Sequence, residues 1–148
     1  MAAWDQGDLF LIPCLNGGYL VGQVLQKRHL PDGVALCAFT LRQHGADDAP
    51  APLTVEETIA VDFVQTDLLD NGTWQVAGLE AIPRHPHFAT PREMPDDHEP
   101  RLSAVLEAFL NACLGLYPWD GFGRGYFEDI LLEGLTTPKA ARTKAELQ

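Results

Sequence analysis

Five prolines between residues 83 and 100 (Pro83, Pro86, Pro91, Pro95 and Pro100) constrain this chain more than any other feature of it. Proline fixes φ and removes the amide donor that helices and inner strands require, so the stretch reads as an extended arm or linker. It also separates two hydrophobic rhythms. Apolar residues alternate before it and recur every three to four positions after it.

The alternating half reads as strands. Leu9-Phe10-Leu11-Ile12-Pro13-Cys14 is a short apolar run that Pro13 confines to a strand end, edge or bulge. Asn16-Gly17-Gly18 suits a hairpin turn, and the alternation from Tyr19 to Arg28 follows, with Gly22 marking a bulge or a tight bend. Pro31-Asp32-Gly33 turns the chain into a third strand over 34–41. Residues 43–53 are polar, carry Pro50 and Pro52, and read as a long loop. Ile59 to Thr66 alternates again, Asp70-Asn71-Gly72 turns, and Thr73 to Leu79 is the fifth strand. Five short strands so punctuated predict a small barrel or a strongly bent antiparallel sheet.

Beyond the arm, Leu102, Val105, Leu106, Phe109, Leu110, Cys113 and Leu114 share one face of a helix that begins after Pro100 and ends at Gly115. A loop rich in aromatics and glycine, 117–125, leads to a second, shorter helix with Tyr126, Phe127, Ile130 and Leu131 as its apolar stripe. At 148 residues, with 46% hydrophobic and 21% charged side chains, the chain has the length and composition of one globular domain. The expected architecture is α+β: strands over 7–80, the arm over 83–100, two helices packed on the sheet over 101–134, and a flexible tail over 135–148. The expected core draws on Phe10, Ile12, Val21, Val24, Leu36, Phe39, Val61, Phe63, Trp74, Val76, Leu106, Phe109, Ile130 and Leu131.

Net charge is −11 at pH 7, and residues 134–148 are the one basic segment. A negative body repels phosphate, which argues against a nucleic-acid partner, and it steers basic proteins towards itself. There is no run of 18 apolar residues and no leader pattern at the N-terminus, so no membrane contact is expected and the cytoplasm is the default location. Cys14, Cys37 and Cys113 are widely spaced and sit in apolar runs, which marks them as buried thiols rather than a disulfide framework or zinc knuckle.

Reactive constellations are scarce. Ser103 is the single serine and opens a helix, and the adjacent carboxylate pairs (Asp47-Asp48, Glu56-Glu57, Asp96-Asp97, Glu128-Asp129) point their side chains apart. His85 and His87, with Asp96, Asp97, His98 and Glu99 nearby, are the best metal candidates, but a proline-rich arm does not hold ligands rigidly. Gly121-Phe122-Gly123-Arg124-Gly125 lacks the Lys-Ser/Thr of a phosphate loop. The expectation is a protein without catalytic residues, cofactor or metal that acts by binding another macromolecule.

Gly7-Asp8-Leu9-Phe10-Leu11-Ile12-Pro13, followed by Gly18-Tyr19-Leu20-Val21-Gly22-Gln23-Val24-Leu25, resembles the opening of the immunity protein 26 family, and Gly72-Thr73-Trp74-Gln75-Val76-Ala77-Gly78 resembles a later strand of such proteins. The resemblance covers roughly residues 7–80. It implies an SH3-like barrel and a cytoplasmic bacterial protein that binds and blocks a cognate polymorphic toxin, and the acidic charge of this chain suits a basic one. The family carries over no contact residues. Loop position and residue type nominate Asp47 and Asp48 on the long loop, Asp96, Asp97 and Glu99 on the arm, and Trp119, Asp120 and Phe122 in the aromatic loop. Two other readings stay open: a small-molecule or enzymatic pocket lined by Tyr19, Trp74, Trp119 and Tyr126, and a general protein-interaction module. The oligomeric state is not readable.

Overall fold

Strand β1 (Asp8–Pro13) and strand β2 (Tyr19–Gln26) are joined by a turn in which Gly17 takes φ 87° and Cys14 N–H donates to Gly18 O at 2.8 Å. Pro13 stands at the end of β1 opposite Tyr19, where a missing amide interrupts little. The computed structural model describes residues 3–45, 48–85, 88 and 92–147. Its strands continue as β3 (Val34–His44), β4 (Thr58–Gln65) and β5 (Gln75–Leu79). All pair antiparallel in the order β4-β3-β2-β1-β5. β4 and β5 end the order without pairing to each other, so of the two expected forms the sheet is open rather than closed into a barrel. β3 also runs to His44, three residues past its predicted end, because Gln43 and His44 pair with Leu20 and Tyr19.

Alternation gives this sheet two covered faces. On one, Phe10, Ile12, Leu20, Val24, Cys37 and Phe39 meet helix α2 (Ser103–Cys113) through Leu106, Phe109 and Leu110. Trp74 stacks on Phe10 at 5.2 Å, and Phe39 stands edge-on to both rings. Gly22 makes room for this stack: a Cβ there would sit 2.6 Å from the Phe10 ring and 2.9 Å from the Ala38 carbonyl. The helix ends at Leu114 and Gly115 (φ 78°), where Leu116 N–H donates back to Asn111 O.

The other face carries a second layer that the sequence did not announce. Leu25, Leu36, Ala38 and Phe63 are covered by Phe88, Ile82 and Met94, and Leu9 and Val21 by Leu53. The proline-rich arm is therefore packed on the sheet. Two buried glutamines of β2 hold the chain beyond the strands, Gln26 the proline-rich arm and Gln23 the ends of β1 and β5. Gln26 Nε2 donates to Arg92 O at 2.7 Å and its Oε1 accepts Arg92 N–H at 2.8 Å, while Gln23 Nε2 donates to the carbonyls of Gly7 and Glu80. The arm then closes the outer edge of β4. Arg101 N–H donates to Phe63 O and Gln65 N–H to Arg101 O, with Leu132 N–H on Ile59 O farther along.

Three further expectations need correcting. The second helix is a chain of turns, in which Tyr126 N–H donates to Gly123 O, Asp129 N–H to Gly125 O and Ile130 N–H to Phe127 O without a continuous helical ladder; Phe127 and Ile130 still turn inward. The tail is tied back rather than loose: Trp119 N–H donates to Arg142 O, Lys144 N–H to Asp120 Oδ1, and the tail ends in the short helix α3 (Lys144–Leu147). Within the predicted core, Val61, Val76 and Leu131 are half-buried, and the short helix α1 (Asp67–Asp70) contributes Leu69 instead.

Candidate functional site

The thiols come first, being the strongest potential nucleophiles. Cys37 is wholly enclosed and burial pushes its thiol far up; burial likewise pushes Cys113 up to about 12, and raises half-buried Cys14. All three are held as neutral thiols at pH 7, the form that does not attack. Among the described residues no group of three or more His, Cys, Asp or Glu side chains could hold a metal ion. The His85 ring lies on Phe88 at 5.4 Å, His98 stands edge-on to Phe63, and His87 lies outside the described residues.

The four residues nominated as lining one pocket do not do so. Trp74 is fully buried and Trp119 is 7% exposed, and their rings fill the space between sheet and helix. Tyr19 borders a separate cleft of about 230 Å³ with Cys14, His44 and Leu114.

The acidic nominees fall into separate places. Asp48 is exposed, accepts Gly45 N–H at 2.6 Å, and borders a cleft of about 260 Å³ with Leu9 of β1 and Ala77 of β5. Asp47 lies outside the described residues. Asp96, Asp97 and Glu99 are exposed on the turn closed by His98 N–H on Pro95 O, and that turn stands against β4, where His98 Nε2 is 3.9 Å from Asp62 Oδ1. Asp48 thus sits where the loop beyond β3 crosses the sheet, apart from the arm's acids against β4.

The aromatic loop divides between core and surface. Trp119 does not present its ring to a partner: it packs on Phe109 and Phe127, and its Nε1–H donates to Glu128 Oε1 at 2.7 Å. Phe127 is fully buried beneath it. Phe122, 43% exposed, and Tyr126, 38% exposed, remain outside. Phe122 is stacked between Tyr117 at 6.0 Å and Tyr126 at 5.4 Å, and meets Phe127 edge-on. Gly121 allows the column, since a Cβ there would lie 2.5 Å from Tyr117 Cε1. The same segment carries Asp120 and the exposed Glu128, Asp129 and Glu133 with Arg124, and the basic tail joins it where Trp119 N–H donates to Arg142 O and Lys144 N–H to Asp120 Oδ1.

The ion pairs of the described residues lie elsewhere: Arg42 with Glu57, and Arg101 and His98 with Asp62. The carboxylates of the aromatic loop take part in none of these pairs, and the basic tail is bonded beside them through Trp119 and Asp120. Sequence reasoning passed over Glu128 and Asp129 because adjacent carboxylates in an acidic chain read as ordinary solvated surface. Compared with protein-family models, curated proteins and solved structures, the chain matches none, so the chemistry of the surface rests on its own residues.

Proposed function

We propose that this chain is a non-catalytic immunity-type protein of the bacterial cytoplasm, one that binds a basic cognate toxin and occludes it. The observation that carries the reading is the pattern of unpaired negative charge. The chain has a net charge of −11, and Asp48, Asp96, Asp97, Glu99, Asp129 and Glu133 take part in none of the ion pairs among the described residues. An inhibitor of a basic protein gains on-rate and selectivity from such a field. Three neutral thiols and dispersed histidines support binding over chemistry. The likeness of residues 7–80 to immunity protein 26 is part of the same proposal.

The test is protection. Cells carrying the toxin encoded beside this gene survive when the chain is co-expressed, and the purified pair forms a complex whose association slows as salt rises. Cells that die despite soluble co-expression overturn the reading.

A further inference from the structure

We propose that the basic tail is a displaceable strap, holding in cis a seat that a basic segment of the protein partner takes in trans. This rests on the reading above and names where that partner is met. The seat is built from backbone. Arg142 lies beside Pro118 as a single parallel bridge, its carbonyl accepts Trp119 N–H at 2.7 Å, and Lys144 N–H reaches Asp120 Oδ1 at 2.8 Å. Gly115 lets the strap approach, because a Cβ there would lie 2.5 Å from Ala140 O. The half-buried side chain of Ala141 packs against the main core.

The hold is slight. None of the described residues from 133 to 147 is buried, and the bonds to Trp119 and Asp120 are those that tie the tail to the loop. Its charges are not what fastens it. Arg142 gives its guanidinium to the carbonyls of Lys139 and Ala141 in its own segment, and Lys139, Arg142 and Lys144 join no ion pair among the described residues. Main-chain pairing of this kind accepts any segment that can lie extended, so a partner's chain can replace the strap. Two features select the replacement: a small side chain where Ala141 now packs, and positive charge, which the acidic body draws in. The tether gives the strap an effective concentration of about millimolar, so it turns away weak basic segments and yields to a partner with further contacts.

The test uses the full chain and a peptide copying residues 138–147, followed by NMR at low salt. Lys144→Pro loosens the strap alone, because proline starts α3 without the amide that Asp120 accepts and leaves the seat untouched. The loss of one hydrogen bond corresponds to about threefold to tenfold. In the variant, Trp119 N–H should exchange with solvent faster by about that factor, while Gln65 N–H, bonded to Arg101 O, keeps its native rate. The peptide should shift the Trp119 and Asp120 amides and bind the variant at least about threefold more tightly than the native chain. A scrambled peptide of the same charge, and a copy with glutamine for each lysine and arginine, should each bind at least about threefold more weakly. Equal binding to native chain and variant, no shift at Trp119, or a scrambled or neutral peptide that binds as well overturns the strap. The two readings fail separately. Peptide exchange at Trp119 without cell protection leaves the strap and removes immunity; protection with no peptide exchange at Trp119 does the reverse.

Discussion

Each tryptophan of this chain gives its indole proton to a carboxylate: Trp4 to Asp70, Trp74 to Glu107 and Trp119 to Glu128. Burial of an indole requires such an acceptor, and an acidic chain supplies acceptors from 9 to 66 residues away that no spacing in the sequence reveals. The same surplus makes Arg42 valuable. Its guanidinium binds both oxygens of Glu57 and the carbonyls of Ala51 and Pro52, fastening the loop beyond β3. The hydrogen bonds from Arg42 hold the Glu57 carboxyl below its ordinary value, with Thr54 assisting. A carboxyl with a lowered folded pKa contributes stability that is complete above the ordinary glutamate value and is lost as pH falls through the lowered one. Urea unfolding of Glu57→Gln should therefore vary less than that of the native chain as pH drops from about 5 to about 3. Parallel pH profiles for the two proteins would show that this pair adds nothing.

At the scale of elements, β2 does more than pair with its neighbours. Gln26 is 6% exposed, and its amide forms both bonds that a strand would have offered Arg92. Gln26→Leu keeps the volume and strands both backbone groups, so it should cost about 1–3 kcal/mol in urea unfolding. Trypsin should then cut after Arg92 faster, while cleavage after Arg124 stays as it was. An unchanged rate at Arg92 would mean that Phe88, Ile82 and Met94 hold the arm unaided.

The strands were legible because alternation and turn residues act locally: Asn16-Gly17, Pro31-Asp32-Gly33 and Asp70-Asn71-Gly72 each fall between strands. The docked arm was not, since its anchor on Gln26 spans 66 residues. The aromatic segment misled for a local reason. Successive turns repeat every three to four residues as a helix does, so Phe127 and Ile130 fit a helical stripe although the backbone there bonds as turns. Of the nominated contacts, Phe122 was reachable from residue type alone, whereas the burial of Trp119 followed from Phe109 and Phe127, which only the tertiary fold brings to it.

Over the whole molecule, the charge of −11 is a cost to the isolated fold, because few of the 21 acidic side chains are matched by cations in the described structure. The clusters at Asp48, at Asp96–Glu99 and around Tyr126 attach to different parts of one small domain, within reach of one another's fields when salt is low. The Debye length is about 30 Å at 0.01 M ionic strength and about 8 Å at 0.15 M, so added salt should relieve this long-range repulsion before it weakens the half-buried Arg101–Asp62 pair. The thermal midpoint at pH 7 is thus expected to rise by a few degrees between 10 mM and 300 mM NaCl, corresponding to about 1 kcal/mol for a domain of this size. A basic partner would relieve the same repulsion by contact, so its stabilising effect should be largest at low salt and shrink as salt does the work instead. A midpoint that falls across that range would mean attraction outweighs repulsion in the folded chain, and the field credited with drawing in a basic protein would not be there.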